Sequence, residues 1–171
     1  ECEDVPTSAL DLLESLRPLR PNRRALAVSQ DRISEKTFLN DLGLKTAPWA
    51  AVNSEADLRA ATQSLGLPAM LKTTRLGYDG KGQVKLTSPA DIPDGWAAMS
   101  GAASVLEGFV TFDREVSVIA ARGPDGSVAA YDPGENVHKD GILRTTTVPA
   151  RLSPAQRSDA RSASGSRHRE S

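Results

Sequence analysis

The stretch from Pro68 to Leu86 constrains this chain more than any other. Pro68-Ala69-Met70-Leu71-Lys72-Thr73 reads as an apolar strand and Val84-Lys85-Leu86 as a second one. Between them lie Gly77, Gly80 and Gly82, with Lys72 leading in and Lys81 inside the turn. Glycine lets backbone N–H groups approach an anion closely, and lysine supplies a point charge, so a strand–loop–strand unit of this kind can hold polyphosphate. An ordinary hairpin turn, which Asp79-Gly80 would serve well, is the competing reading. The loop is not a Walker A turn, because no Gly-Lys-Ser/Thr opens a helix, and its G-x-x-G-x-G order is not the dinucleotide fingerprint.

The other residues must then supply a core and a partner for that loop. A chain of 171 residues is long enough for one medium domain or two small ones. Its 21 basic and 22 acidic residues nearly cancel, which gives no global electrostatic reason to expect nucleic acid or an anionic membrane as partner. Cys2 is the only cysteine, so neither an internal disulfide nor a cysteine-based zinc cluster can form, and a reducing cytoplasm fits. No apolar run approaches the roughly 18 residues of a membrane span.

Patterning predicts a helix from Ala9 to Leu16 after Thr7-Ser8, and a basic linker from Arg17 to Arg24. Ser29 is a plausible N-cap for a helix running to about Leu42 and ended by Gly43. Ser54 and Asp57 form a capping-box pattern for a helix closed by Gly66. Ser104 to Val110 reads as an apolar strand with a glycine break. Glu115 to Arg122 reads as one strand that turns at Gly123-Pro124-Asp125-Gly126 and returns as Ser127 to Tyr131. Ile142 to Val148 is a further strand. From Ser153 onward the sequence is Arg, Ser, Ala and Gly without an apolar period, which predicts disorder. The class is α+β, without strict βαβ alternation.

Lys72 follows Met70 and Leu71 in a strand, where a charged side chain needs a partner or solvent. Glu107-Gly108-Phe109-Val110 can offer backbone groups to an adenine edge while its side chains sandwich the ring, although a plain core strand explains the same residues. Glu115 can accept hydrogen bonds from ribose hydroxyls or stand as a solvated edge residue. His138, in Asn136-Val137-His138, has no second histidine or cysteine near it to complete a metal site.

Taken in order, five segments resemble the ATP-grasp enzymes, and within them the N5-carboxyaminoimidazole ribonucleotide synthetases of purine synthesis. They are Gln30 to Lys36, Thr46 to Trp49, Arg75 to Gln83, Val116 to Gly123 and Asn136 to Arg144. The resemblance implies an ATP-grasp fold and an ATP-dependent carbon–nitrogen ligase. Its contacts with ATP would be Arg32 and Lys72 on the phosphates, and Gly77, Tyr78, Asp79, Gly80, Lys81, Gly82 and Gln83 as the lid over them. Glu107, Gly108, Phe109 and Val110 would form the hinge against adenine, Glu115 would hold the ribose, and His138 would lie near the nucleotide. It also implies Mg²⁺, with its ligands expected C-terminal to this segment, bicarbonate and 5-aminoimidazole ribonucleotide as co-substrates, and a homodimer as an assembly compatible with the full-length family.

By the same resemblance, 1–28 would be the end of an N-terminal Rossmann-like domain with its linker, and 29–104 the small ATP-grasp subdomain. Residues 105–151 would start the large subdomain, and 152–171 would be a disordered Ser/Arg-rich tail where the likeness stops. The expectation is therefore a truncated ATP-grasp fold, inactive alone, with no metal ligands of its own. The residues leave room for another ATP-grasp carboxylase or transformylase, such as biotin carboxylase, and for a non-catalytic nucleotide-binding module.

Overall fold

A computed structural model describes residues 5–77, 81–139 and 141–163. Tyr78, Asp79 and Gly80 of the lid lie outside the described residues, as does the end of the chain after 163. The chain forms two compact units, Glu1–Val110 and Thr111–Ser171.

The first unit begins with three helices, α1 (Thr7–Leu16), α2 (Arg23–Ser29) and α3 (Arg32–Asp41). The expected linker and long helix are corrected here. Asn22 caps α2 by accepting from the Ala25 N–H, so the helix starts inside the basic stretch and ends at Ser29. Asp31, not Ser29, caps α3: its Oδ1 accepts from Ile33 N at 3.1 Å and from Ser34 N at 2.9 Å. A carboxylate satisfies two of the first-turn donors and complements the positive end of the helix, an advantage serine lacks.

A four-stranded antiparallel sheet follows, in the order β1 (Trp49–Val52), β4 (Ser104–Gly108), β2 (Ala69–Thr73), β3 (Gln83–Leu86). Side chains alternate across it. One face carries Val52, Ala69, Leu71, Leu86 and Leu106, which close a core with Leu58 and Ala61 of α4 (Glu55–Leu65) and Ile92 of α5 (Ile92–Ala98). Each large aliphatic side chain buried this way contributes roughly 1.5–3 kcal/mol. The opposite face carries Met70, Lys72, Val105 and Glu107. Lys72 pairs with Val105 and Met70 with Glu107, so the lysine and the glutamate stand diagonally on adjacent strands.

Ser54 accepts from Asp57 N at 3.1 Å, as the pattern predicts, while the Asp57 carboxylate accepts from Asn53 N at 3.0 Å. Gly66 at φ +81 ends α4. β1 and α5 escape the pattern reading because each is short and made largely of alanine, tryptophan and turn formers. β4 is bonded on both sides, to β1 and β2, which places Ser104–Gly108 in the first unit and moves the boundary to Val110.

The second unit holds a three-stranded sheet in the order β5 (Glu115–Ser117), β8 (Gly134–Lys139), β9 (Ile142–Thr147), and a hairpin of β6 (Ala120–Arg122) and β7 (Val128–Ala130). The expected single strand from Glu115 to Arg122 is thus two strands, because its halves pair with different partners. β8 has no apolar alternation and is a strand only through its neighbours. Arg144 is skipped in the β8–β9 register, which jumps from Val137↔Thr145 to His138↔Leu143. That bulge lies immediately beside His138.

The expectation of disorder after Arg151 is also corrected, since Pro154–Ala163 is helix α6. Ser153 and Gln156 form a reciprocal capping box: Ser153 N donates to Gln156 Oε1 at 3.0 Å and Gln156 N donates to Ser153 Oγ at 3.3 Å. Pro154 sits in the first turn, where its missing N–H costs nothing. Among the described residues no helix is long and apolar enough to cross a membrane.

Candidate functional site

In the first unit the structure brings Arg32, Lys72, Gly77 and Gly82 to the Thr73 end of β2, while Glu107 stands on β4 opposite Met70 and reaches Lys72 diagonally. Arg32 is anchored twice: its N–H donates to Thr74 O at 2.9 Å and its Nε to Thr73 O at 3.2 Å. Its guanidinium lies against Gly77, where a Cβ would stand 3.2 Å from Nη2. The loop is pinned at its base by Thr73, whose N–H donates to Gly82 O at 2.9 Å and whose hydroxyl donates to Arg75 O at 2.9 Å. Gly82 adopts φ +67, and a Cβ there would meet Thr73 Oγ1 at 2.7 Å, so only glycine allows this close approach. Gln83 is the first residue of β3 and pairs with Lys72.

Lys72 does have the partner that a lysine in a strand requires. Its Nζ donates to Glu107 Oε2 at 2.8 Å. The other carboxylate oxygen, Oε1, is 3.0 Å from Nζ of Lys36. These side chains are largely withdrawn from solvent, at 21% exposure for Lys72, 13% for Lys36 and 11% for Glu107. Burial pushes the Glu107 carboxyl up, but the hydrogen bonds and charges of Lys72 and Lys36 together outweigh it and hold the group below its ordinary value.

Lys36 is the residue that sequence reasoning missed. It lies four residues after Arg32, so one face of α3 delivers both cations toward the sheet. That i, i+4 spacing was legible within the Gln30–Lys36 segment; the carboxylate that Lys36 meets was not.

The hinge segment differs from its expected form. Glu107 directs its carboxylate to the two lysines, and two backbone donors are already engaged: Gly108 N–H to Pro48 O at 2.8 Å and Phe109 N–H to Pro68 O at 3.3 Å. Phe109 and Val110 remain exposed, and Lys85 Nζ stands 4.3 Å from the Phe109 ring centroid.

In the second unit Glu115 and His138 come together through β8. Asn136 Nδ2 donates to Glu115 Oε1 at 3.2 Å, and His138 Nδ1 lies 3.5 Å from the same oxygen. The Asn136 carbonyl oxygen accepts from Thr146 Oγ1 at 2.9 Å. Asn136 therefore links all three strands of this sheet on one face, a positioning role not foreseen for it. Among the described residues no group of three or more His, Cys, Asp and Glu side chains is placed to hold a metal ion.

The ATP-grasp domain model matches residues 37–166, which extends the likeness past Arg151 and corrects the expectation that it stops there. The N5-carboxyaminoimidazole ribonucleotide synthase of Brucella melitensis is 52% identical over 165 residues, covering 95% of this chain and 46% of that protein. The carboxyaminoimidazole ribonucleotide synthase of Aspergillus clavatus complexed with ATP superposes with a TM-score of 0.89 at 30% identity, covering 94% of this chain and 43% of that one. The Aspergillus clavatus enzyme in complex with ADP and 5-aminoimidazole ribonucleotide gives a TM-score of 0.85 at 26% identity, covering 95% and 43%. This chain thus spans about half the length of the curated relatives it matches. With the family model covering most of its length, and the α+β architecture and glycine loop in place, the chain belongs to the ATP-grasp family.

Proposed function

We propose that this chain carries ATP-binding machinery of a ligase that uses ATP and bicarbonate to carboxylate 5-aminoimidazole ribonucleotide on N5. The observation that carries the reading is the convergence of Arg32, Lys72 and the Thr73-pinned glycine loop at one sheet end. It is joined to the 52% identity with an N5-carboxyaminoimidazole ribonucleotide synthase.

In this reading Arg32 and Lys72 hold the nucleotide phosphates, beside the described ends of the glycine loop at Gly77 and Gly82. Phe109 and Val110 supply apolar surface to the base. The γ-phosphoryl group passes to a bicarbonate oxygen with release of ADP. The N5 amine then attacks the carbon of the carboxyphosphate, and phosphate leaves. Cationic side chains fixed before the reaction stabilise the charge of the transferring phosphoryl group without reorganising. Mg²⁺ would neutralise triphosphate charge when bound, and no described residue is assigned to hold it. A homodimer of the longer protein belongs to the same proposal.

Calorimetric titration of the chain with ATP tests the reading. Saturable binding is expected, weakened about tenfold or more in Arg32→Ala and in Lys72→Ala, as loss of a charge-assisted contact demands. Wild-type chain that shows no saturable binding overturns it.

A further inference from the structure

Lys72 presents a difficulty that the cluster itself resolves. A phosphate-holding lysine in a tight ion pair with a buried glutamate would have its charge cancelled, and a neutral pair attracts an anion poorly. Here the glutamate is shared. Lys36 takes Oε1 at 3.0 Å and Lys72 takes Oε2 at 2.8 Å, so two positive charges face one negative charge with little solvent around them. The trio carries a net charge of about +1 in a medium of reduced dielectric, and such a surplus is strongly stabilised by an anion.

The placement makes Lys36 the remote member. Lys72 stands on β2 in register with Gln83, the last residue of the glycine loop, while Lys36 comes from α3 and meets the carboxylate oxygen turned away from Lys72. Arg32, one turn earlier on the same helix face, is tied to Thr73 O, which fixes the reach of Lys36 as well.

We propose that Lys36 is a positioning residue for nucleotide binding: by sharing Glu107 it fixes the carboxylate and leaves Lys72 with charge to give to a phosphate. The inference rests on the nucleotide-phosphate reading above. Lys36 does not touch the nucleotide; it acts through Glu107 on Lys72.

The test compares ATP with adenosine, which has the base and ribose but no phosphate. Dissociation constants for both are measured on wild type, Lys36→Met and Lys36→Arg, by calorimetry and ligand-observed NMR. Lys36→Met is expected to weaken ATP about tenfold and adenosine less than about twofold, with Lys36→Arg restoring ATP to within about threefold. In a Glu107→Gln background the effect of Lys36→Met on ATP should largely vanish, because there is no shared carboxylate to act through. Equal weakening of ATP and adenosine would make Lys36 merely structural and overturn the proposal, as would an ATP affinity unchanged by Lys36→Met. If Lys36→Met does not fold, Lys36→Gln removes the charge but keeps a donor against Oε1; its failure to fold would likewise overturn the proposal. Wild type that binds no ATP defeats the functional reading itself, a result separable from all of these.

Discussion

Lys72 and Glu107 stand diagonally on adjacent antiparallel strands, with Nζ 2.8 Å from Oε2, on the face of the sheet opposite its apolar core. Truncating the acid leaves Lys72 and Lys36 facing each other with no counter-charge. Glu107→Ala is expected to lower the unfolding free energy by about 3 kcal/mol, the cost of breaking a buried ion pair from one side. Urea denaturation checks this. A loss below about 1 kcal/mol would mean that solvent compensates the lysines as it does at an exposed pair.

The same carboxylate gives the acid limb of stability its sign. Glu107 has its folded-state value held below the ordinary glutamate value of about 4.3 by Lys72 and Lys36 despite its burial. Its contribution is therefore full above about pH 4.3 and is lost as pH falls through the lower folded value. Asp91, held at about 2 by hydrogen bonds from Thr87 and Ser88, extends the limb further down. Chemical denaturation between pH 7 and pH 2 should show stability falling below about pH 4.3, with a shallower fall in Glu107→Gln. Equal slopes in the two proteins would show that the trio is not the source.

Gly82 combines φ +67 with a Cβ position 2.7 Å from Thr73 Oγ1, whereas Gly43 has φ +78 and open space around it. Both lose about 1 kcal/mol to backbone strain on substitution by alanine. Only Gly82→Ala must also displace Thr73 from the base of the loop. Thermal melts should find Gly82→Ala the more destabilised, and ATP titration should find only that variant weakened. Equal effects would refute the close approach.

Asn136 joins Glu115 on β5 to Thr146 on β9 through its two amide atoms. Asn136→Ala removes both bonds, at a cost of about 1–2 kcal/mol. Asn136→Asp should be at least as harmful, since it sets a second carboxylate against Glu115. Denaturant titration of the two variants decides; a stable Asn136→Asp would show that the link carries no weight.

Ser153 and Gln156 close the first turn of α6 reciprocally. Ser153→Ala should cost about 1 kcal/mol, concentrated in this helix. Amide hydrogen exchange within Pro154–Ala163 should accelerate while that of β8 stays unchanged. Unaltered exchange in α6 would mean that contacts other than the cap hold it.

Local chemistry determined much of this protein in advance. The alternation of Ala69 to Thr73, the Ser54 cap, the Gly66 stop and the Gly123–Gly126 turn each follow from the conformational preferences of the residues themselves. The ordered motifs, the segment holding Arg32 among them, likewise pointed to the family. Where two local signals competed, as Ser29 with Asp31, or where a box was short and lay in a polar stretch, as Ser153-Pro154-Ala155-Gln156, the pattern misled. Tertiary structure alone decided what the charges do. β8 is polar along its length and becomes a strand only by pairing on both sides. Lys36 and Lys72 meet on one glutamate only because β4 was threaded between β1 and β2, across 35 residues from Lys72. An ion pair is set by distance through space, and at such separations the sequence names the charges without saying which of them share a carboxylate.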